Sequence, residues 1–128
     1  MLDTYYQAFN NGDRETMFSL LSPDVIHDLN QGGRETGIDA FRAFMDRMDR
    51  CYEETLEDIV ILTSEDGTRA SAEFNVRGRY LCTDEGLPEA TGQLYLIPAG
   101  AFFNLHDGKI TRITMYYNLQ EWLEQIGD

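Results

Sequence analysis

From Arg69 to Cys82 the chain keeps a strict two-residue period. Ala70, Ala72, Phe74, Val76, Gly78, Tyr80 and Cys82 alternate with Arg69, Ser71, Glu73, Asn75, Arg77 and Arg79. Side chains two apart in a strand share a face, so this pattern is a long antiparallel strand with one face buried and the other polar. The same period runs from Thr55 onward. Glu65-Asp66-Gly67 and His106-Asp107-Gly108 read as hairpin turns with glycine where a positive φ is needed, which predicts strands near 55–64, 68–83, 91–106 and 109–118. Pro98 and Gly100 fall inside the third of these. Proline lacks a ladder donor, so a bulge or sharp bend is expected there and the sheet should be strongly curved. The polar segment 83–89 is long enough to hang over a pocket mouth.

Before Thr55 the period is helical. Leu2, Tyr5, Tyr6 and Phe9 share one face, and Asn11-Gly12 ends that helix as a left-handed cap. Asp13 then caps a second helix carrying Met17, Phe18, Leu20 and Leu21, stopped by Ser22-Pro23-Asp24. A short strand over about 24–29 leads into a polar loop at 30–35. Thr36 with Asp39 resembles a capping box, opening a third helix whose buried stripe is Ile38, Phe41, Phe44, Met45 and Met48. A last helix near 119–126 packs Trp122, Leu123 and Ile126. Three helices laid into the concave face of one curved sheet form a cone that cannot close at its wide end. An apolar cavity is left between helices and sheet.

Composition narrows the partners. At 128 residues the chain is one domain, able to bury about two-thirds of its unfolded surface without a disulfide or metal. Cys51 and Cys82 lack metal-ligand spacing and read as reduced, packed thiols. A formal charge of −13 with no basic cluster argues against nucleic acid and against anionic membranes. With no apolar run near 18 residues and no charged-then-apolar leader, the expectation is a cytoplasmic protein. Phosphate loops, nucleophile elbows and redox-cofactor fingerprints are not visible, so the expected chemistry is cofactor-free acid–base work.

Tyr5 and Asp28 stand out as a hydrogen-bond donor and a proton acceptor delivered by neighbouring elements. A carboxylate at the inner end of a strand beside apolar helices should have a raised pKa; the alternative is a loop-capping carboxylate. Strand alternation sends His27 to the face opposite Asp28, as a second base, an orienter, or a structural hydrogen-bonder. Arg34 and Glu35, after the double glycine, either close over a ligand or pair with each other, the pair being the favoured reading, and His106 is expected to be exposed in its turn. Phe74, Val76, Tyr80, Phe102, Ile113, Met115 and Tyr117 are the expected cavity wall.

The run Tyr5-Tyr6-Gln7-Ala8-Phe9-Asn10-Asn11-Gly12-Asp13, then Leu21-Ser22-Pro23-Asp24-Val25-Ile26-His27-Asp28, resembles the opening of ketosteroid isomerases and SnoaL-like polyketide cyclases of the NTF2-like superfamily. His106-Asp107-Gly108-Lys109-Ile110 followed by Met115-Tyr116-Tyr117 resembles their last hairpin. The resemblance implies an α+β NTF2-like cone and a homodimer formed through the outer sheet face, with Glu73, Asn75, Arg77 and Arg79 available to it. It also implies Tyr5 as oxyanion donor and Asp28 as proton shuttle. The isomerases' second oxyanion donor, a carboxylic acid held neutral by an apolar site, corresponds by count to Gly100. Losing one such donor costs about 2.7–4 kcal/mol of transition-state stabilisation. Tyr80, Tyr117 and Asn118 are the candidates to replace it.

Two functions therefore stand side by side. One is an isomerase-, cyclase- or lyase-like enzyme with Asp28 as base, acting on a small apolar carbonyl compound. The other is a non-catalytic ligand-binding or dimeric interaction module. Its marks would be a pocket filled by aromatic side chains, and an Asp28 tied to backbone donors or facing water.

Overall fold

The computed structural model describes residues 1–127. Helix α1 (Leu2–Asn11) buries Leu2, Tyr5, Tyr6 and Ala8 and ends at Gly12, whose φ of 72° lets its N–H return to the carbonyls of Ala8 and Phe9. Asp13 caps α2 (Arg14–Ser19), accepting from the Thr16 N–H at 3.1 Å. Strands β1 (Leu21–Asp28) and β2 (Arg34–Thr36) follow, then α3 (Ile38–Cys51), β3 (Tyr52–Thr63), β4 (Arg69–Tyr80), β5 (Leu94–His106), β6 (Lys109–Tyr117) and α4 (Leu119–Ile126). The strands form one curved, unclosed sheet in the order β2-β1-β6-β5-β4-β3. All neighbours are antiparallel except β1 and β6, so the sheet is mixed.

Several local expectations are corrected. The polar loop contains a strand, β2, whose Glu35 sits opposite His27 and whose Arg34 sits opposite Asp28. Strand β1 begins at Leu21, with Pro23 inside it; the missing N–H interrupts pairing with β6, whose register slips between Leu21 and Ile26. Helix α3 is capped by Gly37 at φ 101° with no side-chain bond, so the Thr36–Asp39 capping box does not form.

The bulge expected at Pro98 and Gly100 does not form between β4 and β5, which pair without a slip from Arg69↔Asn104 to Arg79↔Leu94. Pro98 is tolerated because β6 ends at Tyr117, opposite Ala99. Beyond that point Gln125 of α4 takes the place of a strand, accepting from the Leu96 N–H at 2.8 Å and donating to its carbonyl at 2.9 Å. The slips lie instead at Glu57–Val60 on β3, where Asp58 has φ 55°, and at Asn104–Leu105.

Strand β4 stops at Tyr80 and β5 starts at Leu94 because the intervening segment is tied down. The Tyr80 hydroxyl donates to the Pro88 carbonyl at 2.7 Å and accepts from the Asp84 N–H at 3.0 Å. Cys82, on that segment, is joined to Cys51 at the end of α3, with Cα atoms 4.5 Å apart. The reading of both cysteines as reduced thiols is thus replaced by a disulfide bringing the segment against α3. None of the helices among the described residues is long and apolar enough to cross a membrane.

Candidate functional site

A cavity of about 300 Å³ lies between the helices and the concave sheet face. Its walls are apolar: Phe41, Phe44, Met45 and Met48 from the α3 stripe, Phe74 and Val76 from β4, and Ile113 and Met115 from β6. Its volume is at the lower end of small-molecule sites. Polar side chains from separate elements also line it, among them Tyr5, Arg14, His27, Asn30, Gln31, Arg47, Asp49, Tyr52, Glu54, Asp84 and Tyr117.

Of the residues singled out from sequence, Tyr5, His27, Phe74, Val76, Ile113, Met115 and Tyr117 line the cavity. Asp28, Tyr80, Gly100, Phe102 and Asn118 do not. Phe102 is 45 % exposed on the outer face, where its ring meets Tyr116 edge-on. Gly100, between the buried Ala99 and Ala101, points the same way; the inward position beside it is Ala101, which carries no donor either. Tyr80 is spent on Pro88 and Asp84, and Asn118 caps α4 by accepting from the Glu121 N–H.

Asp28 is the main correction. It faces out of the cone, where the Arg34 Nε donates to it at 2.6 Å, the Thr114 hydroxyl at 2.9 Å and Arg112 at 3.4 Å. The Arg34 hydrogen bond, helped by Thr114, holds its carboxyl down at about 2, opposite to the raised value expected of a cavity base. Arg34 and Glu35 do not pair with each other, because neighbouring strand residues point to opposite faces.

His27 is the β1 side chain that reaches the cavity. It is 4 % exposed, held edge-on against Phe41 and Phe44 with ring centroids 5.1 and 4.6 Å away. Its Nδ1 faces Glu35 Oε1 at 3.6 Å, just beyond hydrogen-bond distance, and both atoms are buried with no hydrogen-bond partner among the described residues. That leaves Nε2 as the nitrogen available to the lumen. Burial lowers the His27 pKa against the opposing pull of Glu35 and Asp28, so the ring is neutral at neutral pH. Tyr5 is also buried, and its hydroxyl is pushed up by desolvation and keeps its proton.

Across the sheet stands a group the sequence reading missed. Glu54 of β3 projects into the cavity, and the Tyr95 hydroxyl donates to its Oε2 at 2.6 Å. Glu54, Gly78 and Tyr95 lie opposite one another on β3, β4 and β5. A Cβ on Gly78 would overlap the Tyr95 ring, so the glycine is what allows that ring to cross β4. The signal was present as a glycine in an otherwise bulky inward row, but the run Tyr52-Glu53-Glu54-Thr55 reads as polar on both faces. Arg14 also lines the cavity; its guanidinium is held by Asp49 at 2.6 and 2.9 Å and by the Phe9 carbonyl at 3.2 Å. Among the described residues, no group of three or more His, Cys, Asp and Glu side chains is placed to hold a metal ion.

The SnoaL-like domain description matches residues 2–113. A putative polyketide cyclase from Pseudomonas putida is 57% identical, with a TM-score of 0.97 over 98% of this chain and 95% of that one. One from Xanthomonas campestris is 54% identical, with a TM-score of 0.94 over 98% and 93%. An NTF2-like protein from Burkholderia pseudomallei, 16% identical, shares the fold with a TM-score of 0.77 over 99% and 95%. No functionally curated protein matches the chain. With a cone of this topology and a match spanning most of its length, the chain belongs to the SnoaL-like domain family on the NTF2-like fold.

Proposed function

We propose that this protein moves a proton beside the carbonyl of a small apolar substrate, chemistry of the kind a polyketide cyclase needs, with His27 as the base. The observation that carries this reading is the His27–Glu35 pair, in which two buried polar atoms, without a hydrogen bond among the described residues, face each other at 3.6 Å. A carboxylate behind Nδ1 stabilises by its charge the imidazolium formed when Nε2 takes the substrate proton, and a shift of a few tenths of an ångström brings it within hydrogen-bond reach of Nδ1–H. Tyr5 is the donor to the developing enolate, since its hydroxyl stays protonated in the same cavity. No cofactor enters this scheme.

The non-catalytic reading has one mark in its favour, Asp28 lying outside the cavity. Its other mark is not met, because about 300 Å³ remains open between the aromatic side chains. The test is deuterium exchange at the carbon next to the carbonyl of 2-tetralone, followed by proton NMR. His27→Gln is expected to abolish exchange and Glu35→Gln to slow it by about 10²-fold, within the range general bases contribute. Exchange should fall as the pH drops through the lowered His27 pKa and level off above the ordinary histidine range. Full exchange by His27→Gln would overturn the assignment.

A homodimer through the outer sheet face belongs to the same proposal. It is supported by Leu94, Leu96, Phe102 and Tyr116, which are exposed on β5 and β6. Sedimentation is expected to give twice the chain mass, and Phe102→Glu to return it to the monomer value.

A further inference from the structure

The cavity has a second polar end. His27 lies on β1 and Glu54 on β3, on opposite flanks of the sheet with β6, β5 and β4 between them. Glu54 has been brought there at some structural expense. Gly78 gives up a side chain in the middle of β4, and Tyr95 is laid across the gap so that its hydroxyl meets Glu54 Oε2 at 2.6 Å. Trp122 packs edge-on against the far side of Tyr95, 5.8 Å between centroids.

Among the described residues, no cation is hydrogen-bonded to this carboxyl. The charge of Arg14 acts on it, but that guanidinium donates to Asp49, the Phe9 carbonyl and the Met17 sulfur. The other titratable groups around Glu54 are Tyr95 and Tyr117, both pushed up by burial and by Glu54, and both keeping their protons. Glu54 is half-buried in the cavity wall, and desolvation there raises its pKa. With Oε2 accepting from Tyr95, the acid proton belongs on Oε1, the oxygen left for a ligand.

We propose that Glu54, oriented by Tyr95 across Gly78, is the hydrogen-bond donor that holds a substrate oxygen at the end of the cavity away from His27. The substrate is then an apolar compound with two oxygen functions: a carbonyl whose neighbouring proton His27 removes, and a hydroxyl or second carbonyl gripped by Glu54. Keto-aromatic compounds have this character. Tyr95 is a positioning residue, acting through Glu54. The proposal rests on the reading of this cavity as the substrate site, but it does not depend on His27 being the base.

The test compares binding of 2-naphthol with that of naphthalene, by fluorescence, to the full chain. Wild type is expected to prefer the phenol by about tenfold, the worth of one hydrogen bond in a buried site. Glu54→Leu should reduce that preference to within about twofold by weakening 2-naphthol alone, while Glu54→Gln, which keeps a donor in the same shape, retains most of it. Infrared difference spectra should show a carboxylic-acid band that Glu54→Gln removes and Tyr95→Phe displaces. Equal binding of the two probes by wild type, a preference that survives Glu54→Leu, or the absence of the acid band would each overturn the proposal. His27→Gln separates the two readings: loss of 2-tetralone exchange with the naphthol preference intact supports both. If that variant keeps both exchange and preference, the base assignment falls and the Glu54 assignment stands.

Discussion

Replacing Gly78 with alanine isolates the arrangement that brings Glu54 into the cavity. Gly78 does not have a positive φ, so alanine is allowed by the backbone and, taken alone, would stabilise the chain by about 0.4–1 kcal/mol through the unfolded state. Against this, the new Cβ overlaps ring atoms of Tyr95, which is 4 % exposed and confined by Trp122 and Glu54. Forcing such a ring aside costs about 1–3 kcal/mol. Breaking its bond to Glu54 adds about 1 kcal/mol. The net expectation is a loss of about 1–3 kcal/mol, read from urea unfolding midpoints at constant m-value. The decisive measurement is a double-mutant cycle with Tyr95→Val, in which the ring is gone. There Gly78→Ala should be stabilising by the unfolded-state gain alone, giving a coupling of about 2–4 kcal/mol, the ring and hydrogen-bond terms together. An equal loss in both backgrounds would refute the reasoning, since it would mean the glycine serves the strand rather than the ring.

Asp28→Asn is expected to leave 2-tetralone exchange within about twofold of wild type, because the carboxylate lies outside the cavity, and to cost about 1 kcal/mol of stability, the scale of a solvent-accessible ion pair. The pH dependence carries a sign. Asp28 titrates at about 2 when folded, below its unfolded value, so its contribution is present above the unfolded pKa and is lost as the pH falls toward 2. Acid-unfolding curves of Asp28→Asn should lack that limb, and an unchanged curve would remove the ion pair from the account. Cys82→Ser opens the cross-link between residues separated by 31 in sequence, worth about 3–4 kcal/mol in the chain-entropy description. Intact mass with and without reductant, together with the unfolding midpoint, checks this; identical midpoints would show that the bond contributes nothing.

The fold was legible because its strongest signals are local. The period of two in β4, the Gly12 cap, the Asp13 cap and the Asp107-Gly108 turn each follow from one residue's stereochemistry, and each is where the sequence places it. What was not legible depends on partners. Strand β2 is three residues long and exists only because β1 pairs with it. Pro98 predicts a bulge or bend on local grounds, yet the pairing with β4 keeps its register through it, because β6 has already ended and Gln125 supplies the missing ladder. The Cys51–Cys82 link joins residues whose proximity is set by the turn of α3 into β3 and by the return of β4 beside it.

At the site the difficulty was one of phase. Asp28 and His27 are adjacent, and in a strand a single residue decides which of them meets the cavity and which meets water. A motif fixes which residue types are present but leaves that phase open, and the alternation rule had already set His27 opposite Asp28. The register of β1 against its neighbours resolves it: Asp28 is drawn outward by Arg34 and Thr114, the residues directly opposite it on β2 and β6. Because the β1–β2 pairing also sets Glu35 opposite His27, the register that takes the carboxylate of Asp28 out of the cavity places another behind the imidazole. Shifting β2 by one residue, for instance by inserting a second glycine after Gly33, would put Arg34 against His27 and cancel both effects together. Such a variant is expected to lose exchange activity even with His27 intact. Retained activity there would mean that the imidazole works without a carboxylate behind it.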